Sequence, residues 1–190
     1  AFKSANFKVS NDPALPIVLT PGNYNEDACL HFSEKNTKRF TGTVPQDFLF
    51  KPGDLTVVMT DLSSKMKILG KPAFIEDGVI LHNQRIGRVR FKSKCLEPRF
   101  LYHFLRTQAV QKPIRDTSTG TMVRHTAPKR ILCLKICIPM SRSEQESTVA
   151  LIDELEAETV RLRNRYKETC KDLDDLRQSL LQKAFTGELS

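Results

Sequence analysis

The chain has 190 residues, 39% of them hydrophobic, which is enough for one sizeable core. No apolar run approaches the roughly 20 residues needed to span a bilayer, and no charged leader precedes an apolar stretch with a small-residue cleavage site, so a cytoplasmic protein is expected. The net charge of +8 is unevenly placed: residues 144–190 hold 7 Lys/Arg against 11 Asp/Glu, whereas residues 1–143 hold 23 against 11, so a basic head suited to nucleic acid precedes an acidic tail suited to protein.

The head, residues 1–142, reads as short strands separated by turns. Residues 15–20 are a strand candidate ended by Pro21-Gly22, and residues 54–60 are a stronger one launched by the Lys51-Pro52-Gly53 turn. Residues 73–75 and 79–81 flank Asp77-Gly78, the strongest hairpin dipeptide in the chain. Residues 86–91 alternate apolar and polar types, which puts Arg88 and Arg90 on one face, expected to be wet. From Glu97 the period changes: Phe100, Leu101, Phe104 and Leu105, with Gln108 and Ala109 on the same stripe, predict an amphipathic helix starting after Pro98. Residues 115–126 are polar and read as an exposed loop. Residues 131–138 return to a strand with Leu132, Leu134, Ile136 and Ile138 on one face, ended by Pro139.

Residues 143–190 carry the clearest pattern. A capping box at Ser143 and Glu146 starts a helix whose first turns are acidic, as the helix dipole favours. Ile152, Thr159, Tyr166, Leu173 and Leu180 fall at heptad positions a, and Leu155, Leu162, Thr169, Leu176 and Lys183 at positions d. Five unbroken heptads make a rod of some 50 to 60 Å, longer than a head of this size covers, so the rod is expected to project and pair with another helix. Thr159, Tyr166 and Thr169 weaken the middle of this seam, so the pairing is expected to be marginal without further partners. The expected fold class is therefore α+β: a mixed α/β domain followed by a long C-terminal coiled-coil helix.

Catalytic and metal-binding classes find little support. The five cysteines, at 29, 95, 133, 137 and 170, include no C-x-x-C pair and are expected to be reduced and to serve as small apolar residues. In a strand, Cys133 and Cys137 would stand about 13 Å apart, too far to share a zinc ion. His31, His82, His103 and His125 fall in four different elements without a nucleophile at triad spacing, and Walker, G-x-G-x-x-G and H-E-x-x-H motifs are absent. No metal and no catalytic residue is assigned.

Binding is better supported. The 115–126 loop combines Arg115, Arg124 and His125 with Ser118, Thr119, Gly120 and Thr121, a mixture that lets backbone approach a nucleic acid while Arg and Thr reach bases or phosphates. A solvated connector has the same composition. Lys35, Lys38 and Arg39 form a charge cluster that either touches phosphate or is merely solvated. Thr60, Asp61, Ser63 and Lys65 follow the strongest strand and either face DNA or close their own turn. Asn83-Gln84-Arg85 are all of types that pair with purine edges, or an Asn-Gln pair beside the hairpin satisfies buried carbonyls, and Arg85 is the preferred DNA contact. Within the head, Arg115 and Arg124 are expected to matter more than Lys3 or Lys92.

Taken together, several segments resemble type I restriction-modification specificity subunits. Ala1-Phe2-Lys3-Ser4 resembles the start of the family's target recognition domain, and Phe50-Lys51-Pro52-Gly53-Asp54-Leu55 its turn-and-strand signature. Leu81-His82-Asn83-Gln84-Arg85-Ile86-Gly87 is similar to its central strand, and Tyr102-His103-Phe104-Leu105 to the helix that follows. Thr119-Gly120-Thr121 resembles its small-residue loop. Ile138-Pro139, Glu144-Gln145-Glu146 and Leu180 through Leu189 resemble the two ends of its conserved helix.

The resemblance implies a subunit without catalytic activity that supplies sequence specificity for double-stranded DNA, each recognition domain reading half of a bipartite site. It implies modification (methyltransferase) subunits that methylate adenine with S-adenosylmethionine, and a restriction subunit that uses ATP and magnesium, with no cofactor in this chain. Residues 1–142 would be the recognition domain, and residues 143–190 the conserved helix for dimerisation and docking of the modification subunit. Ile152, Leu155, Thr159, Leu162, Tyr166, Leu173, Leu176 and Leu180 would form its interface. A complete subunit of the family has two such domains and two helices, so a fragment, or a half-length subunit that forms a homodimer, is expected. Two other classes remain: a non-enzymatic coiled-coil scaffold with a basic nucleic-acid-binding head, which sequence-selective DNA binding would exclude, and an enzyme, which turnover of S-adenosylmethionine would reveal.

Overall fold

The computed structural model describes residues 7–10, 12–44 and 46–188. The Ala1-Phe2-Lys3-Ser4 motif and Leu189 lie outside the described residues. The chain divides into two compact units, Ala1–Gln145 and Glu146–Ser190.

Among the described residues the first unit is built on three small sheets. One has the order β1-β3-β2-β7, from Phe7–Val9, Lys38–Phe40, Ile17–Val18 and Ile80–Leu81. A second sets Leu55–Val58 (β4) between Pro72–Phe74 (β6) and Ile86–Arg88 (β8), both antiparallel to it. The third is a two-stranded ladder of Thr60–Asp61 (β5) and Arg124–His125 (β9).

The central strand β4 is buried on both faces, and its alternation joins two parts of the core. Leu55 and Val57 pack with Leu69, Leu105, Val110 and Ile114, under the helices Pro98–Arg106 (α1) and Gln108–Asp116 (α2). Val58 turns the other way, to Leu19, Tyr24, Phe50, Ile80 and Ile86. On that side the Thr56 hydroxyl donates to Ala73 O at 2.6 Å and lies 2.6 Å from the Tyr24 hydroxyl, which burial holds well above the usual phenol pKa.

Four details of secondary structure depart from the sequence reading. Gly78 does turn the chain (φ +104°), but residues 73–75 and 79–81 form no hairpin. The Ile75 N–H donates to Asp54 O at 2.9 Å and its carbonyl accepts from Gly53 N at 2.8 Å, so its backbone is already paired, while β7 runs parallel to β2. The stripe after Pro98 is two helices rather than one, because Thr107 is extended (ψ 154°) and caps both. Its hydroxyl donates to Phe104 O at 2.7 Å and its carbonyl accepts from Gln111 N at 2.9 Å.

Residues 131–138 are not a strand. Pro128–Leu132 is a short helix (α3) and irregular chain follows it. Its inward residues are Ile131 and Leu134, at helical spacing, whereas Leu132 and Ile138 are exposed. The strand spacing assumed between Cys133 and Cys137 therefore does not apply. All five cysteines are exposed, so none fills the core as a small apolar residue.

The fourth departure is the start of the long helix Arg142–Thr186 (α4), which has 45 residues and a length of about 67 Å. The capping box forms two residues early: Glu144 N donates to Ser141 Oγ at 3.0 Å, and Ser141 N to Glu144 Oε2 at 3.5 Å. Gln145 then falls at a fully buried position. Its Oε1 accepts from Glu97 N at 2.8 Å, and its Nε2 donates to Cys95 O and Pro139 O at 2.9 and 3.0 Å. Among the described residues no helix is long and apolar enough to cross a membrane.

Candidate nucleic-acid interface

Two of the segments singled out in the sequence are brought together by the β5–β9 ladder, where Thr60 faces His125 and Asp61 faces Arg124. Thr60 Oγ1 lies 3.0 Å from His125 Nδ1. The ladder forms one wall of an open cleft of about 970 Å³, whose other walls come from β8, its flanking turns and α3. Gln84, Arg85, Arg88, Arg90, Lys92 and His125 line it, with Asp47 as the single carboxylate among the lining residues.

The cations of the cleft divide into two kinds. Arg88 is internal: its Nε and Nη2 donate to Asp54 Oδ2 at 3.0 and 2.5 Å, Nη2 also donates to Leu49 O, and the guanidinium stacks 4.7 Å over the Phe50 ring. Its side chain is only 13% exposed, so the expected wet Arg88–Arg90 face holds for Arg90 alone. Arg85, Arg90 and Lys92 are exposed, and no hydrogen bond of their side chains is formed among the described residues. Their charge is available to a polyanion. Asn83 is buried and makes the turn before Arg85, its Oδ1 accepting from Arg85 N at 3.1 Å.

Beside them, His82 donates from Nε2 to Ile86 O at 2.6 Å. Burial pushes its pKa below the ordinary 6.5 and the charges of Arg88 and Arg90 push the same way, with the Ile86 bond partly opposing them. Thr126 Oγ1 is buried at the cleft wall and has no hydrogen-bond partner among the described residues.

The loop between α2 and β9 is shorter and better held than an open 115–126 loop. Arg115 lies inside α2, donating to Gln108 Oε1 at 2.7 Å. It is near Lys71, whose pKa is lowered by burial first and then by Arg106 and Arg115, while Asp27 and Glu26 oppose. The loop proper is closed by backbone bonds between Thr119 and His125 at 3.0 and 2.9 Å. Met66 Sδ anchors it from below, accepting from Ser118 Oγ and Arg124 Nε, each at 3.2 Å, and Arg124 Nη1 reaches Gly120 O. Gly120 has φ +93°, and a Cβ there would come within 2.0 Å of Val123 O. Thr119, Gly120, Thr121 and His125 are exposed.

Asp61 is buried and closes its own loop, accepting from Ser63 N at 2.8 Å and Ile68 N at 2.9 Å, while Lys65 N donates to Ser63 Oγ at 3.2 Å. Thr60 is buried too, whereas Ser63 and Lys65 are exposed. Lys35, Lys38 and Arg39 do not line the cleft; Arg39 is half-buried and donates to Ser10 O at 3.2 Å and to Leu15 O. Gln84, Arg90 and Lys92 were not among the residues assigned to DNA from sequence. The signal of Arg90 and Lys92 is in the run 85–94, which holds Arg85, Arg88, Arg90, Lys92 and Lys94 and no acid.

On α4, Leu155, Thr159, Leu162, Tyr166, Leu173, Leu176 and Leu180 are all exposed, and Ile152 is half-buried. Leu173, Leu176, Leu180, Leu181 and Ala184 line a continuous apolar groove on this helix.

The family model for the type I restriction modification DNA specificity domain matches residues 2–171. The chain belongs to that family. A solved structure described as "Structural basis underlying complex assembly and conformational transition of the type I R-M system" contains a chain of similar fold, with a TM-score of 0.67 at 18% identity. The match covers 97% of this chain and 41% of that one, so this chain spans about two-fifths of its length. No curated protein matches this sequence significantly. The α+β fold with a long C-terminal helix agrees with the sequence reading.

Proposed function

We propose that the chain is a non-catalytic recognition subunit, or part of one, that reads one half of a bipartite duplex DNA target. The observation that carries this reading is the cleft beside the β5–β9 ladder, where Arg85, Arg90 and Lys92 stand exposed next to a loop of small polar residues, in a chain that belongs to a DNA specificity family. Exposed cations fix the protein on phosphates, while Gln84, Arg85, Thr119 and Thr121 are of types that reach base edges. The exposed heptad seam of α4 pairs with a second helix, from another copy or another part of a longer chain, and docks modification subunits. Those subunits carry S-adenosylmethionine and methylate adenine, and a restriction subunit supplies ATP- and magnesium-dependent cleavage.

The test is titration of labelled random-sequence duplex with the full chain across a salt series. Each neutralised phosphate contributes about −0.9 to the slope of log K against log salt. A slope near zero removes the DNA reading, and a steep slope without any preferred sequence in a selection experiment leaves only a basic scaffold.

A further inference from the structure

Three large apolar side chains stand in water at the open end of the β5–β9 ladder: Leu62 is 58% exposed, Met122 80% and Val123 37%. Leu62 follows Asp61 on one strand and Val123 precedes Arg124 on the other, so both continue directly from the last ladder pair. Neither the charge nor the hydroxyls of the interface account for them.

Their frame is fixed. The Asp61 carboxylate holds the turn beneath Leu62 through Ser63 N and Ile68 N, and the Thr119–His125 backbone pair, Gly120 and the Met66 anchor hold the loop beneath Met122. A held apolar tip has a use that a loose one lacks, because its side chains meet a partner without the cost of ordering the backbone. Three side chains are too few to form a stable protein interface, which needs about 1,000 Å² or more. The chain around the tip is cationic and polar: exposed Ser63 and Lys65 follow Leu62, and exposed Thr121 and the ladder residues Arg124 and His125 flank Met122 and Val123. That charge complements a polyanion, and the apolar group a duplex offers to such a tip is the thymine 5-methyl, on the floor of a major groove wide enough for a two-stranded ribbon.

We propose that Leu62, Met122 and Val123 form an apolar reader of thymine 5-methyl groups in the major groove. This rests on the reading of the cleft as a DNA interface and adds a determinant of specificity to it.

The test uses the full chain and a duplex selected from a random library, made once with thymine and once with deoxyuridine at every thymine position. The methyl-free duplex is expected to bind about four-fold more weakly for each thymine contacted, the factor one buried methyl supplies. The Leu62→Ser/Met122→Ser/Val123→Ser variant is expected to bind both duplexes equally, at the weaker level. Equal binding of the two duplexes by the wild-type chain overturns the proposal, as does retained discrimination in the variant or a selected sequence without a preferred thymine. Single deoxyuridine replacements read with the wild-type chain need no variant. Absence of salt-dependent binding to either duplex defeats the DNA interface itself, a separate outcome.

Discussion

The Thr60 hydroxyl and the His125 Nδ1 atom, sixty-five residues apart in sequence, lie 3.0 Å from one another across an antiparallel ladder. This contact ties the loop after the strongest strand to the loop before the last helices. Two surface segments of unremarkable composition thereby become one wall of a cleft, with His125 exposed upon it.

Gly120→Ala is expected to reshape that wall. A methyl group there meets Val123 O at 2.0 Å in a backbone conformation of positive φ, at a cost of about 1–3 kcal/mol. Gly53 also has positive φ but nothing within 4 Å of its Cβ position, so Gly53→Ala carries only the conformational part. Thermal melting and DNA titration of the two variants are expected to show the larger loss of stability, and the only loss of affinity, in Gly120→Ala.

Arg85 and Arg88 are expected to respond in opposite ways. Arg88→Ala takes the guanidinium from Asp54, which keeps only the Lys51 N–H as donor, and from Leu49 O in a half-buried site, and is expected to lower stability by about 2 kcal/mol. Arg85→Ala removes an exposed cation from the cleft, so its melting temperature is expected to stay unchanged while DNA affinity falls and the salt slope shrinks by about one phosphate. A matched loss of stability in both variants contradicts this division.

His82 gives the fold a pH dependence. Its pKa is lowered in the folded state, so below about pH 6.5 the unfolded chain takes up the proton more readily and stability falls with falling pH. Above that pH the residue is neutral in both states and contributes no slope. Melting temperatures of the wild type are expected to drop from pH 7 to pH 5, and the His82→Gln variant to show a shallower drop over the same window.

The helix seam is tested by Leu155→Asn, Leu162→Asn and Leu176→Asn together. Each places an amide where the proposed pairing buries a leucine, at a cost of about 1–3 kcal/mol. Sedimentation is expected to show loss of self-association, or of binding to the modification subunit, with cooperative melting of the first unit retained. Unchanged assembly rules out this seam as the contact.

Long-period and strongly buried features were legible in the sequence, and short polar ones were not. The heptads of α4, the buried strand around Val57 and the stripe of Phe104 and Leu105 all declare themselves by repetition. Asp77-Gly78 signalled a turn correctly, yet dipeptide chemistry does not say which strands the turn feeds, and backbone bonds of Ile75 made elsewhere decided that. Ser141 and Ser143 both begin a capping box, and the choice fell to the buried amide of Gln145, a tertiary effect. Arg88 and Arg90 looked equivalent by alternation. The positions of Asp54, Leu49 and Phe50 separate an internal strut from a surface charge.

The loop carrying Thr119 to Val123 takes its shape from main-chain hydrogen bonds, one glycine and contacts to Met66 and Arg124, none of which involves the side chains of Thr121, Met122 or Val123. Substitutions at those three positions therefore leave the frame standing. On the proposed DNA reading, a lineage exchanges what this surface prefers without passing through an unfolded intermediate, and stability sets little barrier between one preference and the next.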